Sequence, residues 1–328
     1  MISKNFEKPL ASWKGAELYK GEVLQCLTII IKTGGCSWNR CRMCGYRHER
    51  YHKLSKSELI KKIAGQIRWI QENYHDDEYS MLKIFTSGSF LDETEVPPEA
   101  RKLVAEAFKG KLIIAESRTE YVRKDVVEDF LSDVDTGVWD TPLYIAMGLE
   151  TTNDRIREKC IDKGHTFSDF IEAASEARRG GAGVKTYLMM KPPFLTEKEA
   201  MDDMHRSIKE SIPYSDMISM NLCTIQSKTD VERYWKQGAF RPPYLWSVLD
   251  VLQNAGYHVM CDPVGGGRTR GPHNCGICDK EIVEGIRSYS LTGDTELVRA
   301  LFETECKCKE EWEFVLENER PYCMPLTR

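Results

Sequence analysis

The sequence predicts an α/β protein, a partial (β/α)6 barrel of the TIM type with a small cysteine-containing C-terminal extension, and three observations carry that expectation. Short apolar runs alternate with amphipathic stretches six times between residues 23 and 225, and parallel neighbours need crossover helices of this kind. Chemistry-bearing residues recur just after the apolar runs, where the carboxyl ends of parallel strands build sites. Beyond Gln226 the rhythm breaks and close cysteine pairs return, which divides the chain into a barrel at 1–225 and a substrate- and metal-binding region at 226–328.

A polar leader precedes the first strand, expected at 23–31. Ser55 and Glu58 then form a capping box that opens a helix with Ile60, Ile63, Ile67 and Ile70 on its core face. The second strand is 81–85, followed by the turn Thr86-Ser87-Gly88-Ser89 and a helix starting at the Pro97-Pro98 pair and stopping at Gly110. Strands at 112–115, 143–148, 184–190 and 218–225 follow. Helices are expected between them at 124–131, 154–160, 167–179 and 197–211. After the break, Arg241-Pro242-Pro243-Tyr244-Leu245-Trp246 opens another helix, and a strand near 258–262 leads into the loop Gly265-Gly266-Gly267-Arg268-Thr269-Arg270-Gly271.

Composition narrows the function classes. With 328 residues and 41% hydrophobic content the chain can bury a large core. Lys+Arg 46 against Asp+Glu 51 gives a net charge of −5, so overall charge does not draw it to polyanions. No apolar run is long enough to span a bilayer, and Met1 to Glu7 lack the apolar core of a signal peptide, so the expected location is the cytoplasm, with no membrane partner. Twelve cysteines in a reducing compartment point to metal or redox chemistry before disulfides.

The densest signal is Cys36-x4-Cys41-x2-Cys44, just after the first strand. Three thiolates are one short of a closed site. A cubane cluster held this way leaves one iron open to a small molecule. The competing reading closes the site with His48 or His52 around zinc. At the other strand ends stand Ser87, Gly88 and Ser89, then Glu116 and Arg118, Glu150, and Lys191. Each alone reads as a solvated strand end, but together they offer both carboxylates and cations to a zwitterion.

The C-terminal pairs Cys275-x2-Cys278 and Cys306-x-Cys308 can close a four-thiolate site, as zinc or as a second, auxiliary iron–sulfur cluster. Unliganded thiols are the remaining reading, and Cys261, His273 and Cys323 are alternative ligands. Cys26, Cys160 and Cys223 read as small buried residues. The glycine-rich loop lacks the Lys-Ser/Thr ending of a phosphate-binding NTPase loop. Its Arg268 and Arg270, with Arg241 and His273, are candidates for gripping substrate phosphates, against the reading of a structural hinge. Trp246 reads as core, because Leu245, Val248 and Leu249 continue its face.

Taken together, Gly35-Cys36-x4-Cys41-x2-Cys44-Gly45-Tyr46, Phe85-Thr86-Ser87-Gly88-Ser89-Phe90-Leu91-Asp92, Glu116-Ser117-Arg118, Gly148-Leu149-Glu150-Thr151, Lys163-Gly164-His165-Thr166 and Lys191-Pro192-Pro193-Phe194 resemble the radical S-adenosylmethionine (SAM) family of archaeosine synthesis. That family is related to the elongator-type and methylthiotransferase branch. The resemblance continues through Arg241 to Trp246 and Arg270-Gly271-Pro272-His273-Asn274-Cys275. It implies that Cys36, Cys41 and Cys44 hold a [4Fe-4S] cluster and that SAM chelates the open iron. It further implies a lyase acting on a lysine-adduct deazaguanine base in the tRNA D-loop, a lysine-transferase partner subunit, and an external low-potential electron donor. Ser87, Gly88, Ser89, Glu116, Arg118, Glu150 and Lys191 would contact SAM, with Met43 and Tyr46 beside adenine. Three departures from the wider superfamily stand out: the first cysteine gap is four residues where the commonest motif has three, a longer gap that occurs in the elongator-type branch; Met43 stands where an aromatic is usual; and Ser87-Gly88-Ser89 replaces Gly-Gly-Glu. The rival readings are another radical SAM modification of tRNA, such as methylthiolation, and a non-enzymatic zinc or iron–sulfur scaffold.

Overall fold

The computed structural model describes residues 7–327. Its strands are β1 (Ala11–Tyr19), β2 (Glu22–Ile30), β3 (Met81–Phe85), β4 (Leu112–Glu116), β5 (Leu143–Glu150), β6 (Gly183–Met190), β7 (Met217–Leu222) and β8 (Val259–Met260). They form one eight-stranded sheet in sequence order. β2 to β5 pair in parallel, as do β7 and β8. Every residue of β5 and β6 is buried, as strands covered on both faces require.

The helices are α1 (Lys56–Asn73), α2 (Pro98–Ala107), α3 (Lys124–Val134), the single turn α4 (Asp154–Ile156), α5 (Phe167–Arg179), α6 (Glu197–Ser211), α7 (Asp230–Lys236), α8 (Leu245–Asn254), α9 (Asp279–Thr292), α10 (Thr295–Phe302) and α11 (Cys308–Asn318). The capping box predicted for α1 is present: Ser55 Oγ accepts from the Glu58 amide while Glu58 accepts from the Ser55 amide. Its buried face is Leu59, Ile63, Ile67 and Ile70; Ile60 is only half-buried, which corrects the expected face by one position. Thr196 and Glu199 make the same reciprocal cap on α6.

Ala11–Tyr19, within the stretch read as a polar leader, form a strand. β1 pairs antiparallel with β2 from Ala11–Ile30 to Tyr19–Glu22, so the first expected strand is the second half of a hairpin. The strand-helix series also runs past Gln226, because β8 pairs with β7 after α8.

The chain comprises two compact units: one holds the residues up to Asn39 with Tyr46–Gly148 and Ser168–Lys185, the other Arg40–Gly45, Leu149–Phe167 and the residues from Thr186. The first contains a buried charge cluster. Glu17, on β1, takes Lys83 Nζ at 2.5 Å and also pairs with Lys185. Burial opposes the Glu17 charge, yet the two ammonium groups outweigh it and hold the carboxyl down at about 2. The second is organised around α8, whose Leu245, Trp246, Val248, Leu249 and Val251 are wholly buried, as the apolar face around Trp246 predicts.

Candidate active site

In the first unit, Cys36 lies half-buried in the loop after β2. It is packed on the turn after β3: a side chain at Gly88 would stand 2.5 Å from the Cys36 Cα and 2.5 Å from Glu95 Oε2. Only a bare Cα fits there. The turn itself is fixed from within. Ser87 Oγ donates to the Glu49 carbonyl at 2.7 Å, the Gly88 amide donates to Thr86 Oγ1 at 3.1 Å, and the Ser89 amide donates to Glu95 Oε2 at 2.6 Å. With its amides engaged, the turn has carbonyls to offer an incoming ammonium.

Glu95 was not singled out from sequence. It is fully buried and accepts from Thr33 Oγ1 at 2.6 Å as well, so it ties the cysteine loop to the turn. Burial raises its carboxyl to about 7, against the hydrogen bonds that favour the charge. The signal in sequence is faint, one acid among Asp92, Glu93 and Glu95.

Arg118 joins this group. Its amide donates to Ser89 Oγ at 3.1 Å, its guanidinium lies over the Trp38 ring at 5.4 Å, and its Nε donates to Glu120 at 2.6 Å. Glu116, at the end of β4, takes the Phe90 amide on its carbonyl at 2.9 Å. Tyr46, in a short 3-10 turn, is 38% exposed.

In the second unit, Cys41 is buried and Cys44 half-buried. Their segment is clamped on both sides. The Arg42 amide donates to the Ile161 carbonyl at 2.9 Å, the Gly45 amide donates to Gln226 Oε1 at 2.6 Å, and the Asp230 amide donates to the Arg42 carbonyl at 3.0 Å. Gln226 was another residue missed by sequence reasoning. Met43 packs on an apolar cluster of Met189, Cys223, Ile225, Val231 and Phe240.

Two strand ends in this unit carry strain. Glu150 ends β5 at φ 66° and Lys191 follows β6 at φ 58°, left-handed conformations that side chains avoid unless the surroundings impose them. Fully buried Arg157, in the π-helical turn Arg157–Ile161, supplies the brace for the first. Its Nε donates to the Leu149 carbonyl at 3.0 Å and its guanidinium also donates to the Thr151 carbonyl. Glu150 is paired with Lys163 Nζ at 2.5 Å, and Lys191, 2% exposed, with fully buried Glu197 at 2.5 Å. Glu150 and Lys191 thus each have an internal counterpart, and Lys163 and Glu197 are the partners that sequence position did not announce.

The other candidates are separately placed within this unit. Arg241 is 3% exposed, donates to the Pro242 and His273 carbonyls at 2.8 and 2.9 Å, and lies 3.4 Å from the Tyr244 ring centroid. Arg270 is held by Glu232 at 2.9 Å and by the Ile225 carbonyl. Arg268 is exposed on the glycine loop, and His273 Nδ1 is engaged by the Gly271 carbonyl at 2.8 Å. Cys275, Cys278, Cys306 and Cys308 converge, all four sulfurs lying within 4.8 Å of one another. Cys26, Cys160 and Cys223 are buried, and so is Cys261; Cys323 is exposed.

Comparison with known proteins agrees with this fold. The radical SAM superfamily profile matches residues 30–206. The archaeosine synthase subunit beta of Methanosarcina acetivorans is 42% identical, over 95% of this chain and 91% of its own. That of Thermococcus kodakarensis is 36% identical, over 93% and 96%. Among solved structures, methylornithine synthase superposes with a TM-score of 0.50 at 15% identity, covering 71% of this chain and 63% of that one, a likeness of fold alone.

Proposed function

Because the chain belongs to the radical SAM superfamily, and within it to the family of the archaeosine synthase beta subunits, we propose that it is the lyase of a tRNA modification, cleaving the lysine carbon–nitrogen bond of a lysine-adduct deazaguanine base to leave archaeosine. The family is one of enzymes that use a [4Fe-4S] cluster and SAM. The observation that carries the reading is the seating of Cys36 directly on the Gly88 turn, with Glu95 bridging the two. That is how a cysteine loop must sit if a ligand of the cluster is to be held by the turn. The donor set also fits: three soft thiols, none in a disulfide.

Cys36, Cys41 and Cys44 would hold the cluster. When bound, the cluster and SAM supply a reductive cleavage that generates a hydrogen-abstracting 5′-deoxyadenosyl radical. The chain's own residues orient and enclose. The Ser87–Ser89 turn offers carbonyl acceptors to the SAM ammonium; Arg118 and Lys191 offer cations to its carboxylate. Glu116 and Glu150 are assigned to the same ligand, and Met43 and Tyr46 to its adenine. Pairing of Glu150 with Lys163 and of Lys191 with Glu197 fixes those side chains before any ligand arrives, which lowers the cost of ordering them.

Substrate grip is assigned to residues 226–328, through exposed Arg268 and the loop around Arg270 and His273; Arg241 braces that loop from beneath. The net charge of −5 leaves most of the RNA affinity to a partner, and a lysine-transferring subunit is the natural one. The protein is taken to act in the cytoplasm with an external low-potential electron donor. The decisive test incubates reconstituted protein with SAM, reductant and lysine-adduct tRNA and identifies the nucleoside by mass spectrometry. Release of 5′-deoxyadenosine with the adduct unchanged would reject the substrate.

A further inference from the structure

The four C-terminal cysteines lie wholly in the second unit and have no part in the proposed reaction. We infer that Cys275, Cys278, Cys306 and Cys308 form a closed, mononuclear zinc site that braces the amino end of α8, and that they do not hold an auxiliary iron–sulfur cluster. Spacing in the sequence leaves both open; the sulfur positions separate them. Cys275 and Cys306 are 3.6 Å apart, Cys278 and Cys308 3.6 Å, Cys306 and Cys308 3.3 Å, and no pair exceeds 4.8 Å. One tetrahedral ion with bonds of about 2.3 Å places its sulfurs about 3.8 Å apart, since a tetrahedron's edge is about 1.6 times its centre-to-corner distance. A cubane puts each thiolate on its own iron, outside a separate corner, and spreads the sulfurs far wider. A two-iron cluster does the same for the pairs on opposite irons. The observed quartet is the size of a single ion.

Two side-chain N–H groups are aimed at the sulfurs. Trp246 Nε1 donates to Cys308 Sγ at 3.3 Å, and Asn274 Nδ2 donates to Cys278 Sγ at 3.4 Å. Such N–H donors fix ligand sulfurs in orientation and soften their mutual repulsion. Gly276, at φ 87°, turns the knuckle between the first two cysteines, and Asp279 locks it by accepting the Gly276 and Asn274 amides at 2.8 and 2.9 Å. Four soft sulfur donors in a tetrahedron select zinc among redox-inert ions, and with every position filled by protein the ion has no place for a substrate.

The same contacts say what the ion steadies. Asn274, fixed through Cys278, caps α8 with Oδ1 on the Leu245 amide at 2.9 Å, while Cys308 opens α11 and holds Trp246. The start of α8 is held from its other side by Glu197 Oε1, which accepts from the Tyr244 amide at 2.8 Å and Ser247 Oγ at 2.6 Å; Glu197 Oε2 holds Lys191. The ion therefore anchors the frame behind Lys191.

The test starts with the full chain carrying Cys36→Ala, Cys41→Ala and Cys44→Ala, so that its outcome does not depend on the reading of the N-terminal triad. Elemental analysis is expected to give about one zinc per chain and almost no iron, and zinc-edge X-ray absorption four sulfurs at about 2.3 Å. Cys306→Ser with Cys308→Ser should lower zinc about tenfold or more. Should that variant not fold, cobalt exchanged into the unaltered chain must give the thiolate bands of a tetrahedral site. Chelating the zinc should speed amide exchange at Leu245 and Trp246 about tenfold or more, with Ile84 and Ile114 unmoved. An iron–sulfur spectrum or mononuclear iron in the triple variant, nitrogen or oxygen in the zinc shell, or unchanged exchange at α8 would each overturn the proposal.

Discussion

Replacing Gly88 by alanine tests the seating of the cysteine loop directly. The added Cβ would stand 2.5 Å from the Cys36 Cα, 2.6 Å from its Cβ and 2.5 Å from Glu95 Oε2. Carbon atoms rest about 3.5–4.0 Å apart, so the Cys36 backbone must retreat by about 1 Å. Two of the three collisions involve the short, stiff part of a residue and cannot be relieved by a rotamer change. Overpacking of this kind costs about 1–3 kcal/mol, which the fold should survive. Function is more sensitive, because a displacement of about 1 Å at a catalytic group costs about 100-fold in rate. The assay is anaerobic reconstitution followed by iron analysis, cluster absorbance and 5′-deoxyadenosine release. We expect a folded protein with about 100-fold slower SAM cleavage. Gly15→Ala is the control, since its Cβ would meet nothing nearer than Cys26 Sγ at 3.7 Å, and it should match the unaltered chain. Full iron and an unaltered rate in Gly88→Ala would refute the assignment of Cys36 to a cluster seated on this turn.

Three further outcomes follow from the same geometry. Cys41→Ala should abolish SAM cleavage whereas buried Cys160→Ala should retain it, measured as 5′-deoxyadenosine; equal loss in both would remove the special role of the triad. Glu17 has its carboxyl lowered from 4.5 to about 2, so its stabilisation is complete above pH 4.5 and is lost as pH falls toward 2. It is worth about 3 kcal/mol before the opposing cost of burying Lys185, whose pKa burial lowers. Urea unfolding between about pH 5 and pH 2 should be steeper in the unaltered chain than in Glu17→Gln, and identical slopes would count against the cluster. Lys191→Met leaves the Glu197 carboxylate buried without its cation and should cost about 3–5 kcal/mol, with much of the loss recovered in Lys191→Met/Glu197→Gln. A loss below about 1 kcal/mol in the single variant would mean that the pair does not hold the frame.

The sequence by itself determined what depends on neighbours along the chain. Caps such as Ser55 with Glu58 and the order of six strands follow from local periodicity and backbone chemistry, whereas α2 stops at Ala107, short of the expected Gly110. The three-cysteine spacing likewise named the chemistry, because an incomplete thiolate set is a property of composition and order. β1 escaped detection because it is a half-exposed edge strand, with Lys14 outward and little apolar alternation. Only the tertiary structure decided the pairings: Glu95 between the loop and the turn, Lys163 on Glu150, Glu197 on Lys191, and Gln226 on Gly45. These partners lie up to 181 residues apart, and a charge or amide in sequence carries no mark of what it will meet. The C-terminal cysteines show the division most sharply. Order along the chain supplied four sulfur donors, and the choice between one zinc ion and an iron–sulfur cluster rests on the distance between sulfurs, which exists only once α8, α9 and α11 have packed.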